Sequence, residues 1–395
     1  MDIPVKFTVK FTGMSYTRKI QIPSGSFFLF GPRGTGKSTW MRDHFKPDIS
    51  YDLLRSKTFL SLSADPSILR MEVEALPPGS RVLVDEIQKL PGLLDEIHAV
   101  IFDFDDSYQF ALTGSSARKL KKAQANLLAG RAVRRAMFPL TMLEMADDFN
   151  LDSVLQFGSL PRVVGLKSAA DRRDYLLSYV ETYLKEEIQQ EAAVRNLPSY
   201  HRFLKHAARM NGQVVNLSNI SREASVARST LDGYFSILED TLLGIRIEPL
   251  HLRAKVKEVS SPKFYFFDCG VVRALSNELS EPLGASGFLL ETFMLNELRA
   301  YSSYARADWD FHYWGTPSAN EVDFIIVEGR RKIGIEVKSS RSWKREFSKG
   351  LNVLLTEKKI DRAVAVYTGM RRLKDGAIDV FPVDDFCRYL QSGKL

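Results

Sequence analysis

Four apolar residues in succession, Phe27-Phe28-Leu29-Phe30, run directly into Gly31-Pro32-Arg33-Gly34-Thr35-Gly36-Lys37-Ser38, and that junction limits the fold more than anything else in the sequence. A wholly apolar run of this length suits a strand buried on both faces of a parallel sheet. The segment behind it fits G-x-x-x-x-G-K-[ST] at every fixed position, the pattern of a phosphate-binding loop. Glycines let consecutive backbone N–H groups face phosphate oxygens, and a helix opening near Lys37 aims its positive end at them. Lys37 is then placed to reach the β- and γ-phosphates, and the Ser38 hydroxyl to ligate Mg²⁺. The expected ligands of Gly31, Pro32, Arg33, Gly34, Thr35, Gly36, Lys37, Ser38 and Thr39 are therefore ATP and Mg²⁺.

A second apolar segment, Val82-Leu83-Val84-Asp85-Glu86, ends in two acids. Asp85 is expected to hold Mg²⁺ through water and Glu86 to polarise the attacking water. The adjacent Glu favours a hydrolase over a small-molecule kinase. A third run, Tyr108 to Thr113, leads into Gly114-Ser115-Ser116, where a polar side chain can orient the lytic water; Ser115 is the first choice and Thr113 the next, against a plain turn hydroxyl. Arg131 is a candidate for stabilising transition-state charge, in cis or from a neighbouring subunit, against a surface role. Strands alternating with helical patterns imply an α/β domain built on a parallel sheet.

A chain of 395 residues exceeds one ordinary domain. The periodicities place breaks near residues 145 and 262, giving units 1–145, 146–262 and 263–395. Residues 5–22 alternate around Thr12-Gly13-Met14-Ser15 as a hairpin would. Tyr175, Leu176, Tyr179, Val180, Tyr183, Leu184 and Ile188 recur at helical spacing. Residues 198–260 read as a helix-turn-helix with a following β-ribbon, in which Arg246, His251, Arg253, Lys255 and Lys257 offer a backbone-contact surface for DNA. The net charge of +7 agrees with a polyanionic partner without demanding one. Cys269 and Cys387 are too far apart in sequence and context for a disulfide framework, which points to a cytoplasmic location. Met1-Asp2-Ile3-Pro4-Val5-Lys6 does not open a secretory leader, and no apolar stretch is long enough to span a membrane. The histidines never reach metal-ligand spacing, so zinc is not expected.

Near the C-terminus, Asn320 to Val327 reads as a strand carrying Asp323, and Ile333 to Lys338 as another that sets Glu336 and Lys338 on one face. A hairpin of the two would bring Asp323 and Glu336 together beside Lys338, a set able to bind Mg²⁺ and activate a water. This arrangement resembles the D…E-x-K core of PD-(D/E)XK nucleases, although Val322 stands where the motif has proline. Glu291, near the start of a helix at Gly287, matches the helical glutamate of the archaeal Holliday-junction resolvase branch and is a fourth candidate ligand.

The order of phosphate-binding loop, VDEIQKLP, LTGSSARKL, LAGR, FPLTMLEM, YLKEEIQQEA, ILEDTLLG and FYFFDCGV is similar, over nearly the whole chain, to prokaryotic AAA-type ATPases of the archaeal-ATPase-like group that carry a C-terminal domain of unknown function. The resemblance implies an AAA-like ATPase domain, a helical and winged-helix connector, and an α/β restriction-endonuclease-like C-terminal domain. A DNA-associated ATPase with Mg²⁺-dependent cleavage is the leading expectation. The rival is a nucleotide switch whose degenerate nuclease-like domain binds DNA or a protein without cutting. Association into a homo-oligomer fits either, because AAA-type sites form between subunits.

Overall fold

The structure is a computed structural model and describes residues 16–115, 130–184, 196–252, 258–284, 287–317 and 320–395. The tip and first arm of the expected N-terminal hairpin lie outside those residues, and residues 16–22 form no strand. The architecture is α/β, with two sheets.

The first sheet is parallel and has five strands: β1 (Phe27–Phe30), β2 (Ile49–Asp52), β3 (Arg81–Asp85), β4 (Gln109–Gly114) and β5 (Val133–Ala136). Their spatial order is β2-β3-β4-β1-β5. The apolar runs are buried on both faces, as a doubly covered parallel sheet requires. Phe28, Phe30, Val84 and Leu112 pack against helices Ser56–Ala64, Ser67–Glu74 and Leu93–Asp103. Phe27, Leu29 and Ala111 face the other way, onto Trp40, Met41 and Phe45 behind the glycine-rich loop. The edge strand β2 carries the mixed sequence Ile-Ser-Tyr-Asp, which gave no apolar run to signal it.

A middle group of helices packs around Leu176, Tyr179, Phe203, Leu204, Leu231, Phe235 and Leu238, with the Phe203 and Phe235 rings edge to face at 4.9 Å. The helix-turn-helix is Leu217–Ala224, a left-handed Ser225, and Arg228–Asp240. Helix Cys269–Ser276, beyond residue 262, adds Val271, Val272 and Leu275 to the same core.

The second sheet has eight strands: β6 (Gly244–Pro249), β7 (Lys263–Phe266), β8 (Asp310–Gly315), β9 (Glu321–Glu328), β10 (Arg331–Lys338), β11 (Arg362–Tyr367), β12 (Leu373–Asp375) and β13 (Ile378–Pro382). The order β12-β13-β11-β10-β9-β8-β6-β7 is mixed. Helices Gly287–Ala305 and Val383–Gln391 cover one face, and Lys349–Thr356 the other. The ribbon β6–β7 is thus no free wing, because β6 pairs with β8 and joins this sheet.

Candidate functional site

The glycine-rich loop takes the form its sequence requires. Gly34 and Gly36 adopt φ of 83° and 94°, where an L side chain is strained. A Cβ on Gly31 would stand 2.3 Å from the carbonyl oxygen of Met137, so only glycine fits beside β5. Helix Lys37–Trp40 follows and continues as a π-turn through Phe45. The buried Lys37 ammonium stands inside the loop and donates to the carbonyls of Gly31 (2.7 Å) and Pro32 (3.1 Å). Tyr179 closes over the loop from the middle helices, its hydroxyl donating to the Arg33 carbonyl at 2.9 Å.

The sheet order decides what faces this loop. Strand β4 lies between β1 and β3, so Thr113 and Ser115 sit between the loop and the acids at the end of β3. Thr113, fully buried, donates to Asp85, and its Oγ1 accepts from the Glu86 N–H at 3.4 Å. Glu86 itself is left-handed, with φ of 61°, a conformation that costs a non-glycine residue about 1–3 kcal/mol and is held only by its surroundings. The Gln88 amide ties Glu86 to Ser115, donating to the carboxylate and, at 3.2 Å, to the Ser115 hydroxyl. Asp85 and Ser38 supply hard oxygen donors, the chemistry that suits Mg²⁺. Sequence reasoning named Glu86 and Ser115 separately and missed Gln88, which joins them; an amide two residues after an acid gave no motif to follow.

Arg131 is not at this site in its own chain. It precedes β5, whose Val133 aligns with Phe27 at the start of β1, whereas the loop begins after Phe30 at the other end. The guanidinium instead lies 4.8 Å from the centre of the Phe102 ring. The parallel register puts Arg131 at the end of the sheet away from its own loop, which leaves action on a neighbouring subunit or a surface role.

The four C-terminal candidates converge. The β9–β10 ladder runs to the Ile335–Phe324 pair, and beyond it the Asp323 carboxylate accepts the Val337 N–H at 2.7 Å. Lys338 pairs with Glu336 and stands 3.7 Å from Asp323 Oδ2. Glu291, on helix Gly287–Ala305, accepts from the Tyr265 hydroxyl at 2.6 Å. A residue the sequence did not flag stands in the middle: Lys263, with its Nζ 3.7 Å from Glu291 Oε2, 3.8 Å from Asp323 Oδ1, and paired with Glu321. Burial, then Asp323, pushes Glu291 up to about 8 and Glu336 well above the usual carboxylate range. Burial works against the charge on Lys263 and Lys338, but the surrounding carboxylates outweigh it and hold both ammoniums above their ordinary values. Among the described residues, no three His, Cys, Asp or Glu side chains are grouped to hold a metal ion. The acids therefore converge without fitting a resident Mg²⁺, because two lysines fill the space between them.

Of the basic residues expected on the ribbon, Arg246 is engaged inside the protein. Arg246 is held by Glu239 at 2.7 Å and lies 3.7 Å from Asp232, which cancels its charge. Arg253, Lys255 and Lys257 lie outside the described residues. A different basic surface emerges beside Lys338. The loop after β10 and the loop after β11 pack together, since a Cβ on Gly369 would meet the Arg341 carbonyl oxygen at 2.7 Å. With the helical turns that follow, they carry the exposed Arg341, Lys344 (3.6 Å from the equally exposed Glu346), Arg345, Lys349 and Arg371. More than twenty residues separate the two groups in sequence, so no charge run announced them.

Residues 24–146 match an AAA domain family, 148–282 a domain of unknown function (DUF8612), and 286–386 a second one (DUF4143). The N-terminal unit is an AAA-type P-loop domain. An uncharacterized protein of Mycobacterium tuberculosis is 25% identical over 366 residues, 90% of this chain and 78% of its own length. One from Methanocaldococcus jannaschii is 21% identical over 346 residues, covering 80% and 75%. The crystal structure of protein VC1899 from Vibrio cholerae aligns over 93% of this chain and 96% of its own at 12% identity, with a TM-score of 0.22 that carries no argument. No described helix is long and apolar enough to cross a membrane.

One buried arginine ties the AAA domain to the DUF4143 region. Arg18 donates to the Thr35 carbonyl in the P-loop at 3.2 Å and to the Tyr304 hydroxyl at 3.1 Å, and pairs with Glu144 at 3.1 Å. Tyr304 lies near the end of helix Gly287–Ala305, whose first turns carry Glu291. Thirteen residues at 1.5 Å rise separate Glu291 from Tyr304, about 20 Å of continuous helix between the two candidate sites.

Proposed function

We propose that this protein is an ATP-hydrolysing, DNA-associated switch whose C-terminal domain is built like a PD-(D/E)XK nuclease. The observation that carries the ATPase reading is the alignment of the P-loop, Asp85, Glu86, Thr113, Gln88 and Ser115 along one end of the parallel sheet. Mg²⁺ arriving with the nucleotide, held by Ser38 and Asp85, would neutralise charge on the β- and γ-phosphates. Loop N–H groups and Lys37 would hold the phosphate tail, Lys37 turning from the Gly31 and Pro32 carbonyls to phosphate oxygens. Glu86, steadied by Gln88, would take the proton of the attacking water as its oxygen bonds to the γ-phosphorus and the bond to ADP breaks. Ser115 and Thr113 would keep that water and Asp85 in place.

The switch reading rests on Arg18, because a P-loop carbonyl and the long helix share its guanidinium. DNA as the partner is supported by the basic rim beside Lys338. ATP turnover by the purified chain tests the core of the reading: Lys37→Ala should lose nucleotide binding, and Glu86→Gln should bind ATP but turn it over about 10²–10⁴-fold more slowly. Wild-type turnover by Glu86→Gln would remove Glu86 from its role. A second reading, Mg²⁺-dependent DNA cleavage, has the convergence of Asp323, Glu336 and Lys338 in its favour and the lysines standing among the acids against it. It requires Glu336-dependent nicking of plasmid DNA.

A further inference from the structure

We infer that Lys263 is the resident cation of the C-terminal carboxylate centre, standing where a divalent ion would bridge Glu291 and Asp323, and that it closes the centre to metal. The inference rests on the nuclease-like reading of that site and concerns what controls it.

Three observations carry it. Lys263 is 2% exposed, and its ammonium faces three carboxylates, Glu291, Asp323 and Glu321, from within the cluster. A metal at that point would need the same oxygens at roughly 2.0–2.1 Å for Mg²⁺, so the ammonium and the ion exclude one another. The Glu336 Oε2 atom is buried without a hydrogen-bond partner, although Glu336 is 3% exposed and its other oxygen pairs with Lys338. The centre thus holds a carboxylate oxygen in ligand position but keeps a lysine where the shared ion belongs.

The origin of the lysine gives it a regulatory meaning. At the far edge of the sheet its backbone pairs with β6 and with the middle region, and makes no direct ladder with the strands that carry Asp323 and Glu336. Lys263 pairs with Ile247 in β6 and bridges to Val214 after helix Leu197–Arg209, while the Val215 N–H donates to the Pro262 carbonyl at 2.7 Å. A shift of β7 with the helix-turn-helix would withdraw the ammonium and leave the acids free to take an ion. The Tyr313 ring, 5.5 Å from Nζ, and the hydrogen-bonded Tyr265–Glu291 pair complete the pocket.

The test titrates the full-length, nucleotide-free chain with Mn²⁺ and counts bound ions by electron paramagnetic resonance. The wild type should show no Mn²⁺ site that disappears in Glu336→Gln. Lys263→Met should gain one such site, lost again when Glu336→Gln is added, while its ATP turnover stays at the wild-type rate. A Glu336-dependent site in the wild type overturns the inference, and this arm stands even if Lys263→Met does not fold. A folded Lys263→Met or Lys263→Gln protein that binds no Mn²⁺ overturns it as well. Plasmid nicking, measured in parallel, separates the two readings. Lys263→Met that binds Mn²⁺ without nicking keeps the lysine's role and rejects cleavage. Wild-type nicking that depends on Glu336 keeps cleavage and rejects the closure.

Discussion

Replacing Glu297 with Gln should shift stability toward the variant as pH rises, from a deficit in acid to parity or better by about pH 7. Glu297 lies fully buried on helix Gly287–Ala305, and its Oε1 accepts the Met142 N–H at 2.7 Å, anchoring the segment that leaves the AAA domain. Its carboxyl also meets the buried Cys387 thiol, and the Glu144 carboxylate is near enough to disfavour its charge. Burial, opposed by the bond from Met142, pushes its pKa from 4.5 to about 8. A carboxyl raised in the folded state binds its proton more tightly there than in the unfolded chain. Its favourable contribution is therefore complete below pH 4.5 and is lost as pH rises toward about 8. At 1.36 kcal/mol per unit, a span of 3.5 units sets a ceiling of about 5 kcal/mol, of which about 3 kcal/mol has been lost by pH 7. Gln keeps the oxygen that meets Met142 and has no proton to lose. Burying its extra amide costs about 1–3 kcal/mol, but that cost is independent of pH. Urea unfolding of both proteins across this pH range should show their stability difference moving toward the variant by roughly 1 kcal/mol per pH unit. A difference that stays flat would refute the reasoning, and with it the buried neutral state of Glu297.

Three further outcomes are expected. Arg131→Ala should not alter ATP affinity, and in an oligomer it should lower turnover; mixing with Lys37→Ala should restore part of it through hybrid sites, and no rescue would make the arginine purely structural. Tyr304→Phe removes the hydroxyl shared by Arg18 and the Phe138 N–H. It should leave ATP binding intact and shrink the difference in DNA affinity between the ATP and ADP forms, an unchanged difference counting against the helix as the connection. Arg341, Arg345 and Arg371 changed together to Ala should weaken binding of any DNA sequence alike and reduce the slope of log K against log salt by about 0.9 per lost phosphate contact, measured by fluorescence anisotropy. An unchanged slope would take DNA off this rim.

Elements whose chemistry is local are legible in the amino acids alone. Gly31 to Ser38 specify their loop because glycine alone tolerates the positive φ at positions 34 and 36 and the close approach of Met137. Apolar runs ending in Asp85 and Thr113 specified buried strands, and period-two spacing put Glu336 and Lys338 on one face. None of these needs a distant partner to be read. The remaining features depend on contacts between distant segments and on strand register. The parallel alignment of β5 with β1 sends Arg131 to the far end of the sheet, and no local pattern encodes that register. Glu239 and Asp232 reach Arg246 only once helix Arg228–Asp240 packs beside β6, turning a free surface cation into a partly exposed ion pair. Lys263 sits some sixty residues before Asp323 and looks like any lysine ahead of an apolar strand. Its meaning comes from burial, which makes an ammonium among carboxylates costly to move and able to exclude a metal. Charge in water is cheap and uninformative; charge enclosed by a fold is neither, and the enclosure is not written in any one segment.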